Sequence, residues 1–300
     1  MAGPLGFEPR TFSLEGAWQG TAENWNTFRL WLESKKFNRR YLTTLYNYAQ
    51  QYCDCLFNRD LNRVRDLPDS QRPNVLKALS ALAKFTGKYE DWKTLIKSYD
   101  LRWGGRSADD LIIDRLTKIE DPEEVWTWIR LVKQERPQLA ELLDLLAVSG
   151  LRFIEGINSY NLIQQLNAEG KLDTYYVHDK SALEHFRFKE IFLRSSKKAF
   201  VSFVPQEVVK SICVSKELPS ADEIQQLVRR RGLPLRFGDV REAHGTFMTR
   251  FLKREEIDFL HGRVTGSVFM QHYFNPALIG DLKERVFKGV SEILEKVKVC

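Results

Sequence analysis

Cysteine is scarce. Cys53, Cys55, Cys213 and Cys300 are spread over 300 positions, and none stands in a C-x-x-C pair. Without a matching histidine cluster nearby, that spacing argues against a structural zinc site. It also argues against a disulfide framework, which belongs to short, cysteine-dense secreted chains. Reduced thiols and a cytoplasmic setting are therefore expected. Long apolar runs are missing too. None reaches the roughly 18–20 residues that a membrane span needs. The opening MAGPLGFEPRTF has neither the basic nor the apolar region of a signal peptide, so no secretory leader is expected. Internal repeats and low-complexity blocks are also lacking, which leaves out solenoids and tails.

What is present fits a globular protein with one or two cores. The length suits two domains or one large one, and 43% hydrophobic residues are ample to fill them. Lys and Arg outnumber Asp and Glu for a net charge of +6. That excess is compatible with nucleic acid, though at this size it is a weak pointer.

Residues 1–20 are rich in Gly and Pro and read as a flexible lead-in. Four helical stripes follow. Trp25, Phe28, Trp31 and Leu32 share a face after Thr21 as a cap. Leu42, Leu45, Ala49, Cys53 and Leu56 form the second stripe, and Val75, Leu79, Leu82 and Ala83 the third, after Pro73. Trp92, Leu95, Ile96 and Tyr99 form the fourth. Residues 21–103 thus read as a small helical bundle. Residues 104–110, with Gly104, Gly105 and polar neighbours, read as a linker, and 111–300 as a second domain. There Asp121, Pro122, Glu123 and Glu124 make a strong helix start.

The period changes in HFRFKEIFLRSSKKAFVSFVP, residues 185–205. Phe186, Phe188 and Ile191 precede a polar turn of Ser195, Ser196, Lys197 and Lys198; Phe200, Ser202 and Phe203 follow it. That alternation predicts a β-hairpin. After Pro205 the chain reads as helical to its end. The fold class expected is mainly α with a small β-sheet.

Three segments stand out. AVSGLRFIEG places Arg152 after a Ser-Gly helix end, with Glu155 one turn on. GDVREAHGTFMTRFL carries Arg241 at a helix start and His244 one turn later. FLHGRVTGSVFMQHYFNP carries Arg263 and Tyr273, with Phe269 and Phe274 as expected buried anchors. Seen alone, each has an ordinary reading. Tyr273 is a core tyrosine or a nucleophile, Arg152 caps the preceding helix or binds an anion, and His244 is structural or catalytic. Lys197 and Lys198 are a solvated turn or a proton donor. His261 and His272 read as packing residues, and Glu155 as a support for the backbone.

Together they resemble the tyrosine recombinase (phage-type integrase) family. SGLRFIEG is similar to its T-G-L-R-x-x-E box, VREAHGTFMTRFL to L-R-H-T-F-A-T, FLHGR to its L-L-G-H turn, and SVFMQHYF to its nucleophile helix. The Arg after Gly262 resembles the archaeal virus and plasmid integrases. The likeness covers residues 111–280 well, and residues 21–105 only in size and helix content. It implies a helical core-binding domain, followed by an α+β catalytic domain that cuts and rejoins DNA through a 3′-phosphotyrosine.

The chemistry explains the residue types. Attack on a phosphodiester builds charge on its equatorial oxygens, which guanidiniums neutralise with bidentate donors. Arg152 and Arg241 are the candidates, with Arg263 as a further phosphate contact. Tyr273 must be positioned and helped to lose its proton. The 5′ oxygen leaves with a proton, which the resemblance assigns to a hairpin lysine: Lys197, with Lys198 left open. The phosphotyrosine keeps the bond energy, so neither metal nor cofactor is implied. Duplex DNA is the implied partner, and four protomers on two sites the implied assembly. Lys198, Arg229, Arg230, Arg231 and Arg236 are expected to face DNA. One departure stands out: the family's usual His or Lys three residues before the second Arg is Gly238 here. Arg236 and His244 are the replacements nearest in sequence. Two rivals follow, a type IB topoisomerase-like strand transferase and a DNA-binding protein that no longer cuts.

The peptide Gly6-Phe7-Glu8-Pro9-Arg10 has no periodicity. Its codons accommodate a GGTTCGA-type T-arm of a tRNA gene. Some archaeal integrases carry their attachment site within their own gene. By that resemblance, the codons of residues 3–12 are expected to be the attachment site, and a tRNA gene the target.

Overall fold

The structure is a computed structural model, and it describes residues 20–35, 37, 39–102, 108–118, 123–194, 197–229, 236–264 and 268–299. Several expectations lie outside these residues: the 3–12 peptide, most of the linker, Asp121 with Pro122, the turn residues Ser195 and Ser196, and Arg230 with Arg231. The chain divides into two compact units, Met1–Lys118 and Ile119–Cys300.

The first unit is helical: α1 (Ala22–Ser34), α2 (Arg39–Phe57), α3 (Asn62–Arg65), α4 (Arg72–Phe85), α5 (Tyr89–Ser98) and α6 (Ala108–Lys118). Thr21 caps α1, its hydroxyl accepting from the Asn24 N–H at 3.3 Å. Pro73 lies in the first turn of α4, where a missing N–H costs nothing. Phe28, Leu32, Ala49, Leu79, Leu82 and Trp92 are fully or almost fully buried. In the second stripe Cys55 is buried, whereas Cys53 is only half-buried. Within this core the Trp92 indole donates to Ser80 Oγ at 2.9 Å.

The second unit begins with α7 (Glu124–Glu135), α8 (Ala140–Ser149) and α9 (Phe153–Ala168). Leu142, Leu143 and Leu145 to Ser149 are all buried, so α8 is the spine of this core. Three two-residue strands follow, β1 (Tyr176–Val177), β2 (Ala182–Leu183) and β3 (Ser202–Phe203), antiparallel in the order β1-β2-β3. Tyr176 faces Leu183, and Leu183 faces Ser202. Between β2 and β3 lie a 3-10 turn (His185–Arg187) and α10 (Lys189–Phe192). The hairpin read over 185–205 is therefore corrected. Its first arm is helical, and the turn is closed by the Leu193–Lys198 bridge and by the Ala199 N–H donating to the Phe192 carbonyl at 3.0 Å. A bond from the Phe186 N–H to the Phe200 carbonyl at 3.0 Å satisfies the backbone of that arm without a strand.

His185 ties the sheet to α9. Its ring bonds the Tyr175 hydroxyl at 2.7 Å and Ser202 Oγ at 2.9 Å, and Tyr175 donates onward to Ser159. The remaining elements are α11 (Gln206–Val214), α12 (Ala221–Arg229), α13 (Phe237–Met248), α14 (Arg254–Leu260), α15 (Val268–His272) and α16 (Leu282–Val297). The apolar face of α16 packs on its own domain. Val286, Val290, Ile293 and Val297 are buried in this unit's own core. Lys133 fastens its end, donating to the Val297 carbonyl at 2.9 Å and to Asp144 at 2.7 Å. No helix among the described residues is long and apolar enough to cross a membrane.

Candidate active site

Two glycine turns build the site. Gly150 ends α8 with φ +60°, the left-handed conformation that favours glycine. Gly262 follows α14 with φ +64°. Each turn leaves backbone carbonyls facing inward, and arginines take them.

Arg152 is in extended conformation at the start of α9. Its side chain bonds Glu155 at 2.9 and 3.1 Å and the Lys198 carbonyl at 3.3 Å. Glu155 also accepts from the Arg152 backbone N–H at 3.2 Å, and its side chain is 1% exposed. A second cation, Arg194, reaches the same carboxylate at 3.3 Å. The same device opens two other helices. Asp239 accepts from the Arg236 N–H, and Glu256 from the Lys253 N–H, both at 2.7 Å. An acid at the third helical position satisfies a free N–H and offsets the cation at the helix's positive end.

Arg241, in the second turn of α13, is buried and held by no carboxylate. Its guanidinium donates to the Gly150 carbonyl at 2.6 Å and the His261 carbonyl at 2.5 Å. Burial, then the charges of Arg152 and Arg263, lower its pKa to about 9 against the opposing pull of Glu155. Three guanidiniums thus act on one locality. Arg263 itself is half-exposed, with Asp258 at 3.7 Å.

His244 lies one turn beyond Arg241. Its Nδ1 meets His261 Nε2 at 2.9 Å, and both rings are buried. Burial and the Arg241 charge lower the pKa of His244 to about 4, and a Val148 backbone bond opposes them. Burial, His244 and the arginines push His261 to about 2. Both rings are neutral. His261 Nδ1 is buried without a partner.

Lys197 is exposed beyond the turn, whereas Lys198 is half-buried with its carbonyl on Arg152. Tyr273 follows α15 and is 74% exposed, so the core-tyrosine reading is excluded. Phe269, expected as a buried anchor, is 50% exposed, Phe274 is half-buried, and Met270 is the buried residue of that segment. Tyr273 lines a cleft of about 920 Å³ with Phe269, Phe274, Leu278, Lys253 and Arg285, among others. Among the described residues, no hydrogen bond or ion pair joins Tyr273 to the arginines. Ring contacts connect its neighbourhood to the lysine turn: Phe200 stacks 6.0 Å from Phe259, and Phe259 lies 5.8 Å from Phe274 at a tilt. Gly238 opens onto empty space, with nothing within 4 Å of where a Cβ would stand. Arg229 and Arg236 are exposed.

The structure therefore brings Arg152, Arg241, Arg263, Glu155 and His244 together and leaves Lys197 and Tyr273 at the surface. Arg194 and the partnership of His261 with His244 escaped the sequence reading. A cation at the foot of the predicted turn was the only hint of Arg194. Among the described residues, no group of three or more His, Cys, Asp or Glu could hold a metal ion. Residues 117–286, more than half of the chain, match the family described as archaeal phage integrase. No curated protein matches the chain.

Proposed function

The chain belongs to the archaeal phage integrase family, recombinases that act on DNA, and we propose that it cuts and rejoins strands through a phosphotyrosine on Tyr273. The observation that carries this reading is the convergence of Arg152, Arg241 and Arg263, whose positive charges act on one another at Arg241. Such a cluster suits a group whose negative charge grows during reaction.

On this reading, Arg241 and Arg152 clamp the non-bridging oxygens of the scissile phosphate, and Arg263 takes a further oxygen. Tyr273, exposed just past the short helix α15, reaches the phosphate when DNA is bound. Its oxygen attacks phosphorus, and the bond to the 5′ oxygen breaks. Lys197 gives that oxygen its proton. Its exposure and the pinned carbonyl of Lys198 favour Lys197 over Lys198. The 5′ hydroxyl of another strand then displaces the tyrosine, leaving no net change in the number of phosphodiesters. Residues 21–103 are proposed as the core-binding domain and 111–300 as the catalytic domain, in four protomers on two sites within the host cell. The target proposed is a tRNA gene that matches the codons of residues 3–12.

The test is a labelled duplex carrying the gene's own 5′ region, nicked near the cut so that religation fails. A denaturation-resistant protein–DNA band that disappears in Tyr273→Phe is the expected result. Tight binding without a band would favour a second reading, a DNA-binding protein that no longer cuts. The bare position at Gly238 is the observation behind that alternative.

A further inference from the structure

Arg241 differs from Arg152 in how it is held. Arg152 leans on a carboxylate, while Arg241 rests on two neutral carbonyls. A guanidinium has five N–H donors, so two carbonyl bonds leave donors and full charge for a phosphate. The arrangement works only while both carbonyls keep their places. One belongs to Gly150 in the turn after α8, the other to His261 in the turn after α14, and the two turns are 111 residues apart in sequence.

A second tie reaches both turns from α13: His244 bonds the Val148 backbone at the end of α8 and His261 in the turn after α14. The His244–His261 bond lies directly against the Gly150 turn: a Cβ on Gly150 would stand 2.5 Å from His244 Nδ1 and 2.6 Å from His261 Nε2. On the other side, a Cβ on Gly245 would be 3.0 Å from His261 Cε1. Two glycines thus make room for the pair. The proton between the rings can be placed. A bare lone pair at the partnerless His261 Nδ1 is favoured beside three guanidiniums, whereas an unpaired N–H there would be repelled. His261 therefore carries its proton on Nε2 and donates it to His244 Nδ1.

We infer that His244 and His261 are positioning residues for Arg241, their hydrogen bond fixing the two turns whose carbonyls aim its guanidinium. The inference rests on the recombinase reading of Arg241. It assigns His244 no proton transfer with DNA.

The test compares His261→Met, which has no ring to donate, with His261→Gln, whose amide keeps a donor near Nε2. Each is made in the wild-type and Arg241→Lys backgrounds. Single-turnover cleavage of the nicked duplex, DNA affinity and thermal unfolding are measured. His261→Met is expected to slow cleavage about 100-fold, as for a misplaced catalytic group, with affinity unchanged. His261→Gln should recover most of the rate, and His261→Met should add little in the Arg241→Lys background. Wild-type cleavage by His261→Met, an equal loss in Gln and Met, or the same slowing in both backgrounds overturns the inference. If the wild type itself forms no adduct, the recombinase reading fails separately. The thermal cycle then decides: coupling between positions 241 and 261 supports the pair, and additivity overturns it. Should His261→Met not fold, a Gln variant near the wild-type rate supports the inference, and one slowed about 100-fold overturns it.

Discussion

Gly262 turns directly beneath Lys198. A Cβ at position 262 would stand 1.7 Å from the Lys198 carbonyl oxygen and 3.3 Å from the Ala199 nitrogen. The turn after α14 and the return arm of the lysine hairpin are thus in backbone contact. Gly262→Ala is expected to cost at least about 1–2 kcal/mol for the left-handed conformation alone. The clash adds to this, because backbone cannot swing aside. A lowered melting temperature and a larger loss of strand cleavage than of DNA binding would be the signature.

The hairpin lysines separate by chemistry. Lys197→Ala should slow cleavage of an ordinary substrate about 100-fold or more, the scale of a lost general acid. A substrate with sulfur in place of the 5′ bridging oxygen needs no such proton, because a thiol is far more acidic than an alcohol. Cleavage of that substrate by Lys197→Ala should match the wild type. Rescue of Lys198→Ala instead would move the role to Lys198.

Gly238 stands in the first turn of α13 with free space around it. Gly238→Lys is expected to fold and to gain about 0.5–1 kcal/mol from replacing glycine within a helix. If the missing side chain limits the reaction, cleavage should also rise in single-turnover assays. A stabilised enzyme with an unchanged rate would show that another group has taken over.

Glu155 is the shared anchor of Arg152 and Arg194 and the N-terminal support of α9. Glu155→Ala strands a partly buried guanidinium and frees a backbone N–H. A loss of roughly 3 kcal/mol is expected in chemical denaturation, the scale for breaking a buried pair. Glu155→Gln, which can still accept from the N–H, should lose less.

His185, His244 and His261 are all buried and neutral, with pKa values lowered to about 3, 4 and 2 by burial first. In the unfolded chain each returns toward 6.5. Between that value and the folded ones, the unfolded state binds more protons. Stability must therefore fall as pH drops below about 6.5, by up to about 1.4 kcal/mol per pH unit for each histidine. Denaturant midpoints from pH 7.5 to 4.5 would show it. Replacing His185 with Asn should flatten the slope.

The helices were legible because their apolar spacing is set by burial on one face: Phe28 with Leu32, or Val75, Leu79, Leu82 and Ala83, repeat every three or four residues. The sheet was legible in part: a small one was expected, and Ser202–Phe203 falls in the arm read as a strand. The other strands were missed, because two residues are too short for a period, and Phe186 and Phe188 alternate across a 3-10 turn and the bend before α10. The arginines and the tyrosine were legible as motifs. The histidine pair was not, because 17 residues separate its members and only the two glycine turns bring them together. Arg194 was hidden for a similar reason: its partner Glu155 belongs to another helix.

Phe259 stacks on Phe200 and meets Phe274 through a tilted contact. The arm that carries the proposed acid and the segment that carries the proposed nucleophile thus share a bearing. Neither can be displaced far without the other feeling it. Misfired half-reactions, in which a strand is attacked with no donor ready for its departing end, would be discouraged by mechanics rather than by a separate checkpoint.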